Sequence, residues 1–145
     1  AAITIYLCDQ YPSADLAPRP DQMTRGLFLQ TLVYFSSSVQ NAFQLNYYPD
    51  RFTETSDGYS GAMQRGIRRL RETWQVIDTQ IGANQWVLGD KFSAVDIYLF
   101  MLTTWLKDSR GHPSVQEFPS VARIAEKVLL RPATQKVYGE ALQIN

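Results

Sequence analysis

The sequence predicts an all-α fold, a bundle of about five helices around one buried central helix, preceded by a short separate helix. Three observations predict it. Apolar residues recur at helical spacing in two long segments. A third segment, from Ser93 to about Lys107, is apolar on nearly every face, which marks a helix surrounded by others. No stretch alternates polar and apolar residues with period two, so strands are not expected.

The elements follow in order. The chain opens inside an apolar helical pattern, Ala2-Ile3-Ile5-Tyr6-Leu7, with no initiator methionine, which reads as the tail of a truncated or partial domain over residues 1–11. Pro12, Pro18 and Pro20 then remove amide donors and restrict the residues before them, so residues 12–20 read as a linker. A helical domain is expected over 21–145. Asp21 is placed to cap a helix running to about Phe43, in which Phe28, Leu32, Phe35, Val39 and Ala42 share one face. Turn residues Pro49, Asp50, Asp57 and Gly58 separate it from a second long helix. There Met63, Ile67, Leu70, Trp74, Ile77 and Ile81 form the apolar series and Gly82 is the stop. After the buried segment, two shorter helices are expected at about Ser120–Leu130 and Ala133–Leu142, parted by Arg131-Pro132.

The entry to the buried helix has its own chemistry. Ser93 and Asp96 stand at the spacing of a capping box, with Phe92 and Ile97 at the positions of a hydrophobic staple. A buried helix has no water to satisfy its first amides, so the cap contributes about 1–2 kcal/mol. A catalytic acid at Asp96 is the alternative, but capping explains both the residue type and its spacing. Ser93 and Asp96 are therefore read as structural.

Composition narrows the function. The 145 residues carry fourteen basic and fourteen acidic side chains, so no net charge recommends nucleic acid or an acidic membrane surface as a partner. Arg65, Arg68, Arg69 and Glu72 lie along one helix face with no interleaved aromatic to stack bases, and read as a solvated or subunit-facing surface. No apolar run is long enough to span a bilayer. One cysteine, Cys8, excludes an internal disulfide and fits a reducing, cytoplasmic setting. One histidine, His112, is expected in a surface loop. With so few ligating residues, no metal site is expected. Cys8 is expected as a small buried side chain rather than a redox centre.

The run Trp86-Val87-Leu88-Gly89-Asp90-Lys91-Phe92-Ser93-Ala94-Val95-Asp96-Ile97-Tyr98-Leu99-Phe100 resembles the helix-entry signature of glutathione transferases: a Leu-Gly-Asp turn, an aromatic staple, the cap and a buried helix. Phe118-Pro119-Ser120-Val121 and Arg131-Pro132-Ala133 resemble that family's closing helices, and residues 1–7 its last thioredoxin-domain helix. The likeness runs in order along the chain. It implies a homodimeric enzyme that adds glutathione to small apolar electrophiles. Glutathione would be a co-substrate held mainly by the thioredoxin-like domain, which also supplies the thiol-activating Ser, Tyr or Cys. This chain would not be catalytic alone, and no catalytic residue is assigned within it.

The segment Thr31 to Phe43 is similar to the beta-like bacterial form. The similarity puts Ser37 and Ser38 where a side chain meets the glutathione amino group of the neighbouring subunit. Gln40 and Asn41 stand where that form has a His-Lys pair, a departure that removes both positive charges. Trp105 matches a tryptophan beside the co-substrate pocket, and Tyr34 is expected to join Gln40, Asn41 and Trp105 there. The competing roles are a polar strip on an exposed helix for Ser36–Ser38 and core packing for Trp105. Tyr47-Tyr48-Pro49 reads as a loop packed on the domain, with a pocket mouth as the alternative. Two other functions fit the same likeness: a non-catalytic interaction module, or a glutathione-dependent isomerase or dehalogenase.

Overall fold

The computed structural model describes the backbone of residues 1–142 and the side chains of residues 1–139. Among these, seven α-helices and no strand are found: α1 Ala2–Gln10, α2 Arg25–Tyr34, α3 Gln40–Tyr47, α4 Tyr59–Ile81, α5 Ala94–Thr103, α6 Pro119–Leu129 and α7 Pro132–Leu142. Helices α2 and α3 form one continuous rod through a π-helical segment, Phe35–Val39. Five rods therefore follow the linker, and α1 stands before it with none of its residues buried. The end of the expected 21–145 domain, residues 143–145, lies outside the described residues.

The expected apolar faces form the core. Phe28, Leu32, Phe35, Leu70, Trp74 and Leu99 are fully buried, and each large apolar side chain contributes about 1.5–3 kcal/mol on leaving water. At the crossing of α3 and α4 a side chain on Gly66 has no room: a Cβ there would lie 3.0 Å from the Ala42 carbonyl oxygen, the Asn46 nitrogen and Leu45 Cβ.

Four sequence expectations are corrected. Asp21 does not cap the first long helix; it pairs with Arg19 at 3.3 Å while tight turns carry the chain to Arg25, and the rod continues past Phe43 to Tyr47. That rod is not uniformly α-helical. The Gln40 amide bonds back to the Phe35 carbonyl, five residues away, and the Ser36 and Ser37 hydroxyls both donate to the Val33 carbonyl, at 3.1 and 2.8 Å. The central helix ends at Thr103, four residues early. There the Thr103 and Thr104 hydroxyls donate to the Phe100 and Met101 carbonyls, each at 2.7 Å. It is also not enclosed on every side, since Ile97 is 41% exposed.

His112 is the fourth correction. It is buried, not a surface loop residue. Its Nδ1 accepts the Lys107 amide at 3.1 Å, which fixes the proton on Nε2; Nε2 then donates to Asn46 Oδ1 at 2.9 Å. Burial pushes its pKa below the usual imidazole range. Cys8 is half-buried against the core, and burial raises its thiol pKa, so it is not an activated thiolate.

The capping box at the start of α5 is present. Asp96 Oδ2 accepts the Ser93 amide at 2.8 Å and the Ser93 hydroxyl at 3.1 Å. Its other oxygen accepts the Val87 amide at 2.9 Å, tying the Trp86–Gly89 turn to the helix. That turn needs Gly89, whose φ is +114°. Burial raises the Asp96 pKa against the pull of these donors. The first amide of α5, that of Ala94, donates to the linker carbonyl of Leu16 at 2.7 Å.

Candidate functional site

One face of α3 builds a cleft. Gln40, Phe43, Gln44 and Tyr47 follow the i, i+3, i+4, i+7 spacing and line one wall; Thr104, Trp105 and Lys107, just past α5, line the other. Tyr48 closes the edge. The cleft holds about 380 Å³, within the range of small-ligand sites.

Its walls are held in place from behind. The Tyr47 hydroxyl donates to the Trp105 carbonyl at 3.0 Å, joining the walls. Trp105 and Phe43 meet edge to face at 5.6 Å, and His112 packs edge-on against both Phe43 and Tyr47 at 5.5 Å. Gln40 Oε1 accepts the Tyr98 hydroxyl at 2.7 Å, which orients its amide. Asn46 is fully buried behind this wall, and its Nδ2 has no partner among the described residues.

The cleft can bind a flat apolar body but holds no activated nucleophile. Both nitrogens of His112 are engaged, the Thr104 hydroxyl proton is used on Met101, and the Tyr47 proton is used on Trp105. Among the described residues no group of three or more His, Cys, Asp or Glu is placed to hold a metal. No helix among them is long and apolar enough to cross a membrane.

The structure brings two of the sequence-selected residues, Gln40 and Trp105, into the cleft. Tyr34 faces α4 instead: its hydroxyl meets the Thr73 carbonyl at 3.4 Å, and burial raises its pKa. Ser37, Ser38 and Asn41 lie on the same rod away from the cleft; Ser37 and Asn41 are exposed and Ser38 is half-buried. Sequence reading did not assign Gln44, Thr104 or Lys107, and it placed Phe43 only on a helix. The spacing of Gln40, Phe43, Gln44 and Tyr47 was a usable signal; the position of Lys107 past a helix end was not.

Two other apolar or mixed hollows are poorer sites. One beside the linker holds about 180 Å³, and its Lys91 is paired with Asp15 at 2.6 Å. The other, between Ile97 on α5 and Val137 on α7, is an open groove whose Arg131 is engaged over the Phe92 ring at 3.7 Å.

Residues 60–126 match the family described as "Glutathione S-transferase, C-terminal domain". The uncharacterised GST-like protein YncG of Escherichia coli K12 is 27% identical over 139 residues, covering 94% of this chain and 64% of that protein. A sphingomonad glutathione S-transferase complexed with glutathione superposes with a TM-score of 0.77 at 26% identity, over 99% of this chain and 65% of that one. A glutathione transferase homologue from Sulfitobacter, with bound glutathione, shares the fold with a TM-score of 0.82 at 20% identity, over 94% and 72%. The chain thus spans less than two thirds of the length of the curated relatives it matches.

Proposed function

We propose that this chain belongs to the glutathione S-transferase family as its C-terminal helical domain, a reading supported by the family match and the similar proteins, and that it is the co-substrate-binding and dimerising part of a cytoplasmic enzyme that adds glutathione to apolar electrophiles. The observation that carries this reading is the aromatic cleft between Phe43, Tyr47 and Trp105. It offers an apolar seat for an electrophile and no nucleophile of its own, which suits a site whose reacting thiol comes from a second substrate.

On this reading residues 1–11 close a thioredoxin-like domain that holds glutathione and activates its thiol, and residues 12–20 link it to the bundle. The exposed apolar stripe Ile3, Tyr6 and Leu7 on α1 supports that assignment, because a helix presenting such a face packs on something larger. Ser37 suits contact with a glutathione ammonium from a neighbouring subunit. Its proton is already donated to Val33, so its oxygen is left to accept. Ser38, beside it, would complete that contact. Gln40 orients the electrophile through its amide; Asn41 and Tyr34 do not line the cleft.

The test is conjugation of glutathione to chlorodinitrobenzene by the protein as encoded. Trp105→Leu is expected to raise KM for the electrophile several-fold while leaving KM for glutathione unchanged. Absence of any conjugation, or equal effects on both KM values, refutes the reading.

A further inference from the structure

We infer that His112 is the positioning residue of the cleft's second wall: its neutral ring holds Trp105 to Lys107 against α3, and a second proton on that ring releases the wall and weakens ligand binding. This deepens the proposed function and rests on the cleft being its co-substrate site. His112 does not line the cleft; it acts through the residues that do. The second wall is irregular, since α5 ends at Thr103 and Lys107 is extended. Two side chains tie its backbone to α3. One is Tyr47, whose hydroxyl donates to the Trp105 carbonyl at 3.0 Å. The other is His112, brought back under the wall by the turn at Gly111, whose φ is +72°. It brackets Lys107 through both backbone groups. The His112 amide donates to the Lys107 carbonyl at 3.4 Å, and Nδ1 accepts the Lys107 amide at 3.1 Å. Across the ring, Nε2 donates to Asn46 on α3 at 2.9 Å. A single buried ring, packed edge-on against Phe43 and Tyr47, therefore connects the two walls.

That connection needs the neutral imidazole, because Nδ1 accepts only while it carries no proton. A proton there sets a donor against the Lys107 amide. The acceptor open to it is the Trp105 carbonyl, whose pull favours the charged ring and which already takes the Tyr47 hydroxyl. Charging His112 thus breaks one tie and competes with the other. The charged neighbours on its own loop are Lys107, Asp108 and Arg110; Tyr47 is the titratable group facing it from α3, and α4 meets the loop at Gly111 through the apolar Ile67. Burial resists the second proton most, and Arg110, held 4.2 Å from the centre of the Tyr47 ring, adds to that resistance. The ring is neutral at about pH 7 and gains its charge only in acid, which makes the cleft a proton-sensitive site.

The test is calorimetric titration of the full chain with biphenylcarboxamide, which stays uncharged, from about pH 7.5 down through the titration of the ring. The C2 proton of this lone histidine reports the ring's charge by NMR. Affinity is expected to fall about tenfold as the ring charges, the effect of losing one buried hydrogen bond. Linkage requires the reciprocal effect, so saturating biphenylcarboxamide should lower the midpoint of the ring's titration by about one pH unit. His112→Asn, whose Oδ1 can stand where Nδ1 does, is expected to bind like the parent at neutral pH and to lose the pH dependence. His112→Phe has no acceptor and is expected to bind about tenfold more weakly at every pH. An affinity flat through the titration, a midpoint unmoved by the ligand, or a pH dependence that survives His112→Asn overturns the inference and leaves the cleft reading standing. A loss of binding that only follows the loss of helical circular dichroism overturns it in the same way. If biphenylcarboxamide does not bind at neutral pH, or binding ignores Trp105→Leu, the cleft reading itself fails and this one falls with it.

Discussion

Replacing Gly66 by alanine sets two effects of known sign against each other where α4 crosses α3. In an open helix interior the change gains about 1 kcal/mol, because glycine gives up more backbone freedom on folding than alanine does. Here the added Cβ would sit 3.0 Å from the Ala42 oxygen, the Asn46 nitrogen and Leu45 Cβ. Contacts this short are tighter than ordinary van der Waals packing, so α3 must give by a few tenths of an ångström. Two of the three obstacles are backbone atoms, which cannot rotate away. The helix is also pinned by the buried Ala42, Phe43 and Asn46. Overpacking of this kind costs about 1–3 kcal/mol, leaving a net loss of about 1 kcal/mol. Gly61, on the same helix, has nothing within 4 Å of the point where a Cβ would stand, and its alanine variant should gain about 0.5–1 kcal/mol. The same substitution five residues apart should therefore differ in sign and by about 2 kcal/mol in urea denaturation followed by circular dichroism. A Gly66→Ala protein as stable as the parent would show that the crossing is looser than these distances and would refute the argument.

Four further changes test the polar framework. Asp78→Ala removes the acceptor for the Ser120 and Val121 amides, bonded at 2.7 and 3.1 Å at the start of α6; denaturant unfolding should show a loss of about 1–2 kcal/mol. Ser93→Ala should cost about 1 kcal/mol and leave ligand binding in the cleft intact. Asp96→Ala should cost about 3 kcal/mol, because it strands the Val87 and Ser93 amides; equal costs for the two variants would contradict the bonding described. For His112 the folded pKa lies below the unfolded value of about 6.5. Between those values the unfolded chain binds more protons, so stability rises with pH there. Its contribution is complete above about 6.5 and is lost as pH falls through the folded pKa. Subtracting the stability–pH curve of His112→Gln from that of the parent should isolate this slope, since there is no other histidine; a flat difference would rule out a neutral buried imidazole.

Features that depend only on residues within a few turns of helix are written in the sequence. The core faces of α2 and α4 follow from apolar spacing, and the Ser93–Asp96 box follows from a hydroxyl and a carboxylate three residues apart, because such partners meet wherever the helix goes. Even there the π segment escaped notice, since Phe35 and Val39 satisfy the α-helical pattern as well. The tertiary structure alone decided the rest. His112 and Asn46 are 66 residues apart, Tyr47 and Trp105 are 58 apart, and Asp78 caps a helix 42 residues on. Each of these bonds exists only once packing has brought the two segments together, and no local propensity encodes which buried donor will find which acceptor. The cleft is of the same kind. Half of it, Gln40 to Tyr47, is one helix face legible from its period, but Thr104, Trp105 and Lys107 became its other wall because α5 ends at Thr103. That turn placed a tryptophan and a lysine opposite the tyrosines.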